Sequence, residues 1–197
     1  MSRKLVVQQF LTLDGVMQAP GAKDEDTSGG FEHGGWQLPF FDATLVEFML
    51  QRYASVDAFL FGRRTYDTFA AYWPSAPDDG NPFIKDMNRL TKYVVSARPL
   101  ELAWGNSVRI EGDVVEEIAK LKQQPGKDLL VLGSGKLVQT LMRDNLVDEY
   151  ALIVTPLILG TGTRLFRSSD SMQNLALLDC KSTGTGVVIM TYERKSA

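Results

Sequence analysis

Two short runs of consecutive apolar residues, each ending at a glycine, constrain the fold of this chain more than any other feature. The run over residues 58–61 ends at Gly62, the run over 129–132 ends at Gly133, and residues at helical spacing follow each glycine. A short apolar run bounded in this way is typical of a buried strand. Strands that alternate with helices form a sheet with helices on its faces. The pattern therefore predicts an α/β fold.

The remaining elements continue this alternation along all 197 residues, which predicts a single domain over residues 1–197. Helices are predicted over 40–53, 65–72, 83–90, 114–122 and 137–143. Further strands are predicted over 5–13, 92–96, 107–110, 147–154, 175–181 and 187–194. Gly184 and Gly186 lie between the last two strands, which predicts an antiparallel hairpin at the end of a mixed central sheet.

A long segment between the first strand and the first helix, residues 14–39, is rich in glycine and polar residues. Loops of this length inside a compact domain are usually functional or mobile. We predict that the segment is a lid that becomes ordered over bound ligands.

The charge and the scarcity of cysteine and histidine exclude several classes of function. The formal net charge of −3 does not indicate binding to nucleic acid or to an anionic membrane. Cys180 is the single cysteine and His33 the single histidine, which excludes an intrachain disulfide, a zinc cluster and a Ser-His-Asp triad. Cys180 alternates with apolar neighbours and is predicted to be buried, whereas His33 is predicted to be solvated. Without a signal peptide or a long apolar stretch, the chain is predicted to be cytoplasmic.

Both strand–glycine–helix units also carry cationic side chains. Arg63 and Arg64 follow the first glycine, and Lys136 directly precedes the predicted helix of the second unit. A helix N-terminus has N–H groups without acceptors and the positive end of the helix dipole, and both suit phosphate. Glycine lets a phosphate approach the backbone closely. Each unit is therefore a candidate phosphate site.

A third strand end combines a hydroxyl with a guanidinium, at Ser96 and Arg98. Arginine suits bidentate contacts to phosphate. Three anion-binding strand ends predict a ligand with several separated phosphates, such as NADPH, which has a pyrophosphate and a 2′-phosphate.

The second unit matches neither of two common nucleotide-binding motifs. A P-loop needs glycine five residues before Gly135, where Leu130 stands, and Ser or Thr after Lys136, where Leu137 stands. A Rossmann fingerprint needs a third glycine at the position of Val138. Both motifs are therefore excluded.

Six segments spread over nearly the whole chain carry a resemblance to a known family. They are Thr12-Leu13-Asp14-Gly15, Gly62-Arg63-Arg64-Thr65-Tyr66, Val95-Ser96, Leu132-Gly133-Ser134-Gly135, Leu146-Val147-Asp148-Glu149 and Pro156-Leu157-Ile158-Leu159-Gly160-Thr161-Gly162. In this combination they resemble the dihydrofolate-reductase-like family that includes the reductase domain of riboflavin biosynthesis, the RibD C-terminal domain. The resemblance implies a three-layer α/β/α fold, NADPH as hydride donor, a small-molecule heterocyclic substrate and a homodimer.

The resemblance also implies which residues bind the cofactor. Gly62, Arg63 and Thr65 would hold its phosphates at a helix N-terminus, and Ser96 and Arg98 would face the 2′-phosphate. The pyrophosphate would be cradled by the turn and the first helical residues of the second unit: Gly133, Ser134, Gly135, Lys136 and Leu137.

Two acidic residues, Asp14 and Asp42, are the catalytic candidates. The resemblance places Asp14 near the nicotinamide and the substrate. Asp42 ends the segment Trp36-Gln37-Leu38-Pro39-Phe40-Phe41-Asp42, which is similar to the Trp-x-Leu-Pro-x-Asp segment of true dihydrofolate reductases, where the Asp contacts the pterin. Asp42 stands one residue later, which on a helix is a rotation of about 100°. A helix N-cap is the alternative role for Asp42.

Two positions depart from the riboflavin reductases, for which the resemblance implies a lysine and a glutamate where this chain has Gln8 and Gly133. These departures argue against the phosphoribosylaminouracil substrate itself. The prediction is an NADPH-dependent reductase of the 5-amino-6-(5-phosphoribosylamino)uracil reductase-like class that acts on a pyrimidine or pterin-like small molecule. A true dihydrofolate reductase and a non-catalytic ligand-binding dimer of the same fold are the alternatives.

Overall fold

A computed structural model describes residues 2–77, 79–167 and 172–195. The strands in chain order are β1 (Leu5–Thr12), β2 (Val56–Gly62), β3 (Thr91–Val95), β4 (Ser107–Ile110), β5 (Asp128–Leu132), β6 (Glu149–Thr155), β7 (Leu175–Ser182) and β8 (Val188–Arg194). The α-helices are α1 (Ala43–Ser55), α2 (Arg63–Tyr72), α3 (Ile84–Arg89), α4 (Val114–Gln123) and α5 (Gly135–Arg143). In the described ranges, every helix is too short or too polar to cross a bilayer.

The eight strands form one mixed sheet in the order β4-β3-β2-β5-β1-β6-β8-β7. The first six strands of this order are parallel to their neighbours, whereas β8 runs antiparallel to β6 and β7 antiparallel to β8. The mixed sheet and the closing antiparallel hairpin are therefore confirmed.

Helices cover both faces of the sheet. Successive side chains of each inner strand point to opposite faces, and apolar side chains on both faces are buried under helices. Val6 of β1 packs in one core with residues of α1, α2 and α3, including Phe48 and Met87. Its neighbour Val7 packs in the other core with residues of α4 and α5, including Ile118. The three-layer α/β/α architecture is confirmed.

Four helix starts differ from the predicted bounds, and those of α2 and α3 shift by two residues and one residue, to Arg63 and Ile84. The first helix begins at Ala43, because Asp42 caps it by accepting the N–H of Leu45 at 2.9 Å. The last helix begins two residues earlier than predicted, at Gly135, since its first helical hydrogen bond runs from the N–H of Val138 to the carbonyl of Ser134 at 3.0 Å.

Cys180 is exposed, so the prediction that it is buried is wrong. It lies on β7, which pairs with β8 on one side and forms an edge of the sheet. A β-bulge between Leu177 and Asp179 shifts the register of this strand, and Leu177 and Leu178 are also exposed. At an edge with a bulge, alternation with apolar residues no longer identifies the buried face.

The segment over residues 14–39 folds around a small core of its own. Four buried side chains form this core: Val16, Ala19, Phe31 and Trp36. The indole N–H of Trp36 donates to the carbonyl of Gln18 at 2.8 Å, and the side-chain oxygen of Gln18 accepts the N–H of Thr163 at 2.9 Å. His33 is exposed, as predicted. These contacts hold the base of the loop in place, so only the outer part of the segment could move as a lid. The lid remains a prediction.

Candidate functional site

The amino ends of α2 and α5 meet at the carboxyl edge of the sheet. They follow β2 and β5, which are parallel neighbours in the strand order. The N–H of Gly62 donates to the hydroxyl of Ser134 at 2.9 Å. In return, the N–H of Ser134 donates to the hydroxyl of Thr65 at 3.0 Å. The two strand–glycine–helix units of the sequence therefore form one site.

The turn between β5 and α5 lies in close contact with the first turn of α2. Gly133 has a φ of +57°, and a Cβ atom there would lie 3.1 Å from Cγ2 of Thr65. Ser134 also adopts the left-handed conformation, with a φ of +59°. A side chain at position 133 would push the two helix ends apart, because positive φ and the Thr65 contact both oppose it.

The first turns of both helices present N–H groups to this meeting point. The N–H groups of Gly135, Lys136 and Leu137 precede the first intrahelical hydrogen bond of α5 and have no acceptor within the helix. The same holds for the first turn of α2, which begins at Arg63 directly after the Gly62 N-cap. Two helix dipoles therefore add their positive ends at one place, an arrangement that suits a diphosphate.

Arg63 links the meeting point to the turn after β3. Its Nη1 lies 3.5 Å from the carbonyl oxygen of Pro99, and its Nε lies 3.4 Å from Asp67. In that turn the hydroxyl of Ser96 donates to the carbonyl of Arg98 at 2.7 Å. The structure brings Arg63, Ser96 and Arg98 to one corner, and their role toward a 2′-phosphate remains a prediction.

The long loop over residues 14–39 reaches both helix starts. Arg64 of α2 pairs with Asp26 at 3.3 Å. On the other side, the sulfur of Met17 would lie 2.9 Å from a Cβ atom placed on Gly135. The loop therefore borders the meeting point.

Asp14 is held by four donors. Its carboxylate accepts the hydroxyl of Thr12 at 2.6 Å and the N–H groups of Leu159 and Gly160 at 3.2 and 2.9 Å, and it pairs with Arg164 at 3.2 Å. The Thr12 hydroxyl and these N–H groups lower the pKa of Asp14 to about 2. Asp14 therefore joins the end of β1 to the segment after β6. A direct catalytic role for it remains a prediction.

Asp14→Asn is expected to lower the free energy of unfolding at pH 7 by about 1.5–3 kcal/mol, because hydrogen bonds to a charged group are lost. In the wild type the folded pKa of Asp14, about 2, is below its ordinary value of 3.8. The stabilisation is thus complete above pH 4 and is lost as the pH falls toward 2. Urea denaturation of both proteins between pH 7 and pH 2 measures this. Parallel pH curves for the two proteins would contradict the assignment.

Asp42 caps α1 and also anchors the turn of the closing hairpin. Its second carboxylate oxygen accepts the N–H of Gly184 at 2.7 Å, and the hydroxyl of Thr185 donates to the carbonyl of Phe40 at 2.7 Å. The N–H groups of Leu45 and Gly184 lower the pKa of Asp42. The structure thus shows the N-cap alternative for Asp42, and contact with a substrate remains a prediction.

Gln8 and Gln9 are adjacent on β1, and their side chains lie on opposite faces of the sheet. Sequence patterns gave neither of them a structural role. The side-chain amide of Gln9 donates to the carbonyl of Gly133 and so holds the turn before α5. Gln8 is 2% exposed, and its side-chain oxygen has no hydrogen-bond partner among the described residues. The signal in the sequence was a pair of polar residues inside an apolar strand.

A cavity elsewhere in the molecule lies within the long loop and has a volume of about 400 Å³. It is lined by Lys23, Asp24, Thr27, Gly30, Phe31 and Glu32. None of these residues belongs to the predicted site. Throughout the described ranges, no group of three or more His, Cys, Asp or Glu side chains is placed to hold a metal ion. The converging helix ends therefore remain the candidate site.

Comparison with known sequences finds relatives that match nearly the whole chain. The family model of the RibD C-terminal domain matches residues 3–189. The uncharacterized Bacillus subtilis protein YyaP is 28% identical over 96% of this chain and 94% of its own length. A second uncharacterized B. subtilis protein, YwjB, is 27% identical over 95% of this chain and 96% of its own length.

Solved structures share the fold. A protein from Shewanella sp. PV-4 that is named for riboflavin biosynthesis has a TM-score of 0.67 at 21% identity, covering 100% of both chains. A pyrimidine reductase-like protein from Corynebacterium diphtheriae has a TM-score of 0.66 at 14% identity, covering 99% of this chain and 93% of the other. At these identities the likeness shows the fold alone.

Proposed function

The chain belongs to the RibD C-terminal domain family, and from this premise we propose that it is an NADPH-dependent reductase of a small pyrimidine- or pterin-like heterocycle. The observation that carries the proposal is the meeting of the α2 and α5 amino ends, tied together through Gly62, Thr65 and Ser134. When bound, NADPH supplies the hydride, and the protein supplies binding and orientation.

The residues at the meeting point fit the phosphates of this cofactor. The N–H groups of Gly135, Lys136 and Leu137 would hold the pyrophosphate, with the Lys136 ammonium beside them. Gly133 keeps the turn narrow enough for the backbone to approach the ligand. The hydroxyl of Thr65 accepts the N–H of Ser134 and retains its own proton, which it can donate to a phosphate oxygen.

The 2′-phosphate would lie at the corner formed by Arg63, Ser96 and Arg98. Arg63 pairs with Asp67 at 3.4 Å, and Arg98 forms no ion pair in the part of the chain that the structure describes. Preference for NADPH over NADH follows from this excess of positive charge, because the ribose of NADH has no phosphate there.

The proton that balances hydride transfer comes from water in this proposal. Asp14, with its pKa lowered to about 2, is ionised at neutral pH and has no proton to give. Asp42 is likewise engaged as an acceptor of two backbone N–H groups. Both aspartates then act by holding the ends of β1 and α1 in place.

Titration with NADPH and NADH, followed by a substrate screen, tests the proposal. NADPH is expected to quench the tryptophan fluorescence with saturation in the micromolar range, and its absorbance at 340 nm is expected to fall when the right heterocycle is added. Failure to bind NADPH would contradict the proposal. Binding without turnover of any heterocycle would favour the ligand-binding alternative, and turnover of dihydrofolate would favour a true dihydrofolate reductase.

We also propose that the chain forms a homodimer through its exposed β7 edge, since two-fold dimers are the commonest soluble assembly. Leu177 and Leu178 of this edge are 54% and 48% exposed. Light scattering is expected to give twice the mass of the chain, and Leu178→Lys is expected to weaken the assembly. Val108→Lys is a matched control, because Val108 is also 48% exposed and lies on β4, at the opposite edge of the sheet. A monomer mass for the wild type at micromolar concentration would exclude the dimer.

A further inference from the structure

A second cavity, with a volume of about 230 Å³, opens beside the amino ends of β2 and β3. Its polar lining comes from Arg3, Asp57, Thr91, Tyr93 and Gln124. The candidate cofactor site lies at the carboxyl ends of the same strands, where β2 ends at Gly62 and Ser96 follows β3. The proposed reductase function therefore makes no use of the residues that line this cavity.

A β-bulge at the start of β2 sets the position of one wall. The register between β2 and β5 shifts between Val56 and Ala58, so Asp57 is the extra residue. A bulge changes the direction in which a side chain points. The carboxylate of Asp57 pairs with the guanidinium of Arg3 and accepts the backbone N–H of Lys127 at 3.0 Å. The bulge thereby holds Arg3 at the cavity wall.

Arg3 is 5% exposed and keeps part of its guanidinium unused. Its Nε donates to the carbonyl of Lys127 at 2.6 Å, and its Nη2 donates to Asp57. Its Nη1 donates to no group in the described ranges of the chain. Arginine is almost never this deeply buried unless it is paired, and a donor without an acceptor opposes burial. Because Arg3 lines the cavity, the Nη1 hydrogens are available to an occupant.

The other polar groups of the lining also have donors to offer. The hydroxyls of Thr91 and Tyr93 and the amide of Gln124 form no hydrogen bond with any residue that the structure describes. Thr91 and Tyr93 are two positions apart on β3, so their side chains point to the same face. Hydroxyl and amide groups can donate, whereas the one carboxylate of the lining, Asp57, is already engaged. An occupant rich in acceptors fits this lining.

Charge and size restrict the occupant to a small anion with a single charge. Arg3 and Asp57 together are nearly neutral, so the attraction for an anion comes from the free Nη1 side of Arg3. The cost of taking an ion out of water rises with the square of its charge, which disfavours a phosphate dianion relative to a carboxylate. The volume of about 230 Å³ is below the roughly 300–1,000 Å³ of pockets for drug-sized ligands.

We propose that this cavity is a binding site for a small aliphatic monocarboxylate, such as acetate or propionate. The carboxylate oxygens accept hydrogen bonds from Nη1 of Arg3 and from the hydroxyls of Thr91 and Tyr93. The occupant is a second ligand of the domain, bound at the opposite ends of the strands from the candidate cofactor site. This inference does not depend on the proposed reductase function.

Titration of nitrogen-15-labelled protein with sodium acetate, followed by NMR at constant ionic strength, is the first test. Saturable shifts are expected for the backbone amides of the lining, at residues 57–58, 91–93, 124 and 126–127, with a dissociation constant in the millimolar range. Acetamide has nearly the same shape and no charge. It is expected to bind about ten-fold more weakly, because hydrogen bonds to a charged group are roughly twice as strong as neutral ones. Inorganic phosphate is expected to bind more weakly than acetate.

Two variants that remove only hydroxyl groups are the second test. Tyr93→Phe and Thr91→Val are each expected to weaken acetate binding about three-fold to ten-fold. Their melting temperatures without acetate are expected to equal that of the wild type, since neither hydroxyl bonds to a described residue. Tyr72→Phe is the matched control, because Tyr72 is 52% exposed and lies on α2, outside the cavity. The control is expected to bind acetate as the wild type does.

Several results would overturn the carboxylate site. They are the absence of saturable shifts in the lining, equal affinity for acetamide, tighter binding of phosphate, and unchanged acetate affinity in both hydroxyl variants. Shifts confined to residues 133–137 would place the anion at the start of α5 and would also overturn it. If acetate binds as expected and NADPH does not bind, the proposed reductase function fails and the carboxylate site stands.

Discussion

Replacing Arg63 or Arg98 with alanine is expected to weaken NADPH binding about ten-fold to a hundred-fold and to leave NADH binding almost unchanged. A charge-assisted hydrogen bond contributes about 1.5–3 kcal/mol, and NADPH differs from NADH only by the 2′-phosphate. The guanidinium of Arg63 reaches the turn that carries Ser96 and Arg98, at 3.5 Å from the carbonyl of Pro99. Either arginine can therefore meet a phosphate bound at this corner.

Dissociation constants of both nucleotides, measured for the wild type and the two variants, decide this prediction. Arg89→Ala is the matched control, because Arg89 is a half-exposed arginine that also pairs with an aspartate of its own helix, Asp86. The control is expected to change neither constant. If the wild type binds NADH as tightly as NADPH, the 2′-phosphate corner is wrongly assigned. If the variants lose the same affinity for NADPH and for NADH, the arginines bind the pyrophosphate or have a structural role.

Gly133→Ala is expected to lower NADPH affinity at least ten-fold and to destabilise the folded chain. The alanine residue has to adopt a φ of +57°, which costs about 1–2 kcal/mol. Its Cβ atom would lie 3.1 Å from Cγ2 of Thr65, so the turn shifts and the hydrogen bond from the N–H of Ser134 to the hydroxyl of Thr65 is strained or lost. The two helix ends then no longer meet at the distance that holds a diphosphate.

Gly29→Ala separates the two effects of the Gly133 substitution. Gly29 has a φ of +71°, and no atom lies within 4 Å of its added Cβ. Its variant is expected to lose similar stability through backbone strain alone and to keep the NADPH affinity of the wild type. Chemical denaturation and NADPH titration of both variants provide the comparison. Unchanged NADPH affinity in Gly133→Ala would remove the turn from the cofactor site.

Several tertiary contacts were beyond the reach of sequence patterns because they join residues far apart in the chain. The residues Ser134 and Thr65 are 69 positions apart, and Asp14 and Gly160 are 146 positions apart. Lys92 is fully buried, donates to the carbonyls of Asn88 and Gly105, and has its pKa lowered to about 8 by burial. Lysine is almost never fully buried, so its residue type gave no reason to place it in the interior.

The sequence by itself determined the α/β class, the order of strands and helices, and the glycines at which the chain turns from strand to helix. Those features depend on hydrophobic periodicity and backbone preference, which act within a few residues. Only the tertiary structure decided that Gly62 and Gly133 share one site, because this follows from β2 and β5 being neighbours in the sheet. It likewise decided that Cys180 is exposed on an edge strand and that the carboxylate of Asp42 also accepts the N–H of Gly184 in the closing hairpin. Strand order and edge position arise from packing of the whole chain, so no local pattern contains them.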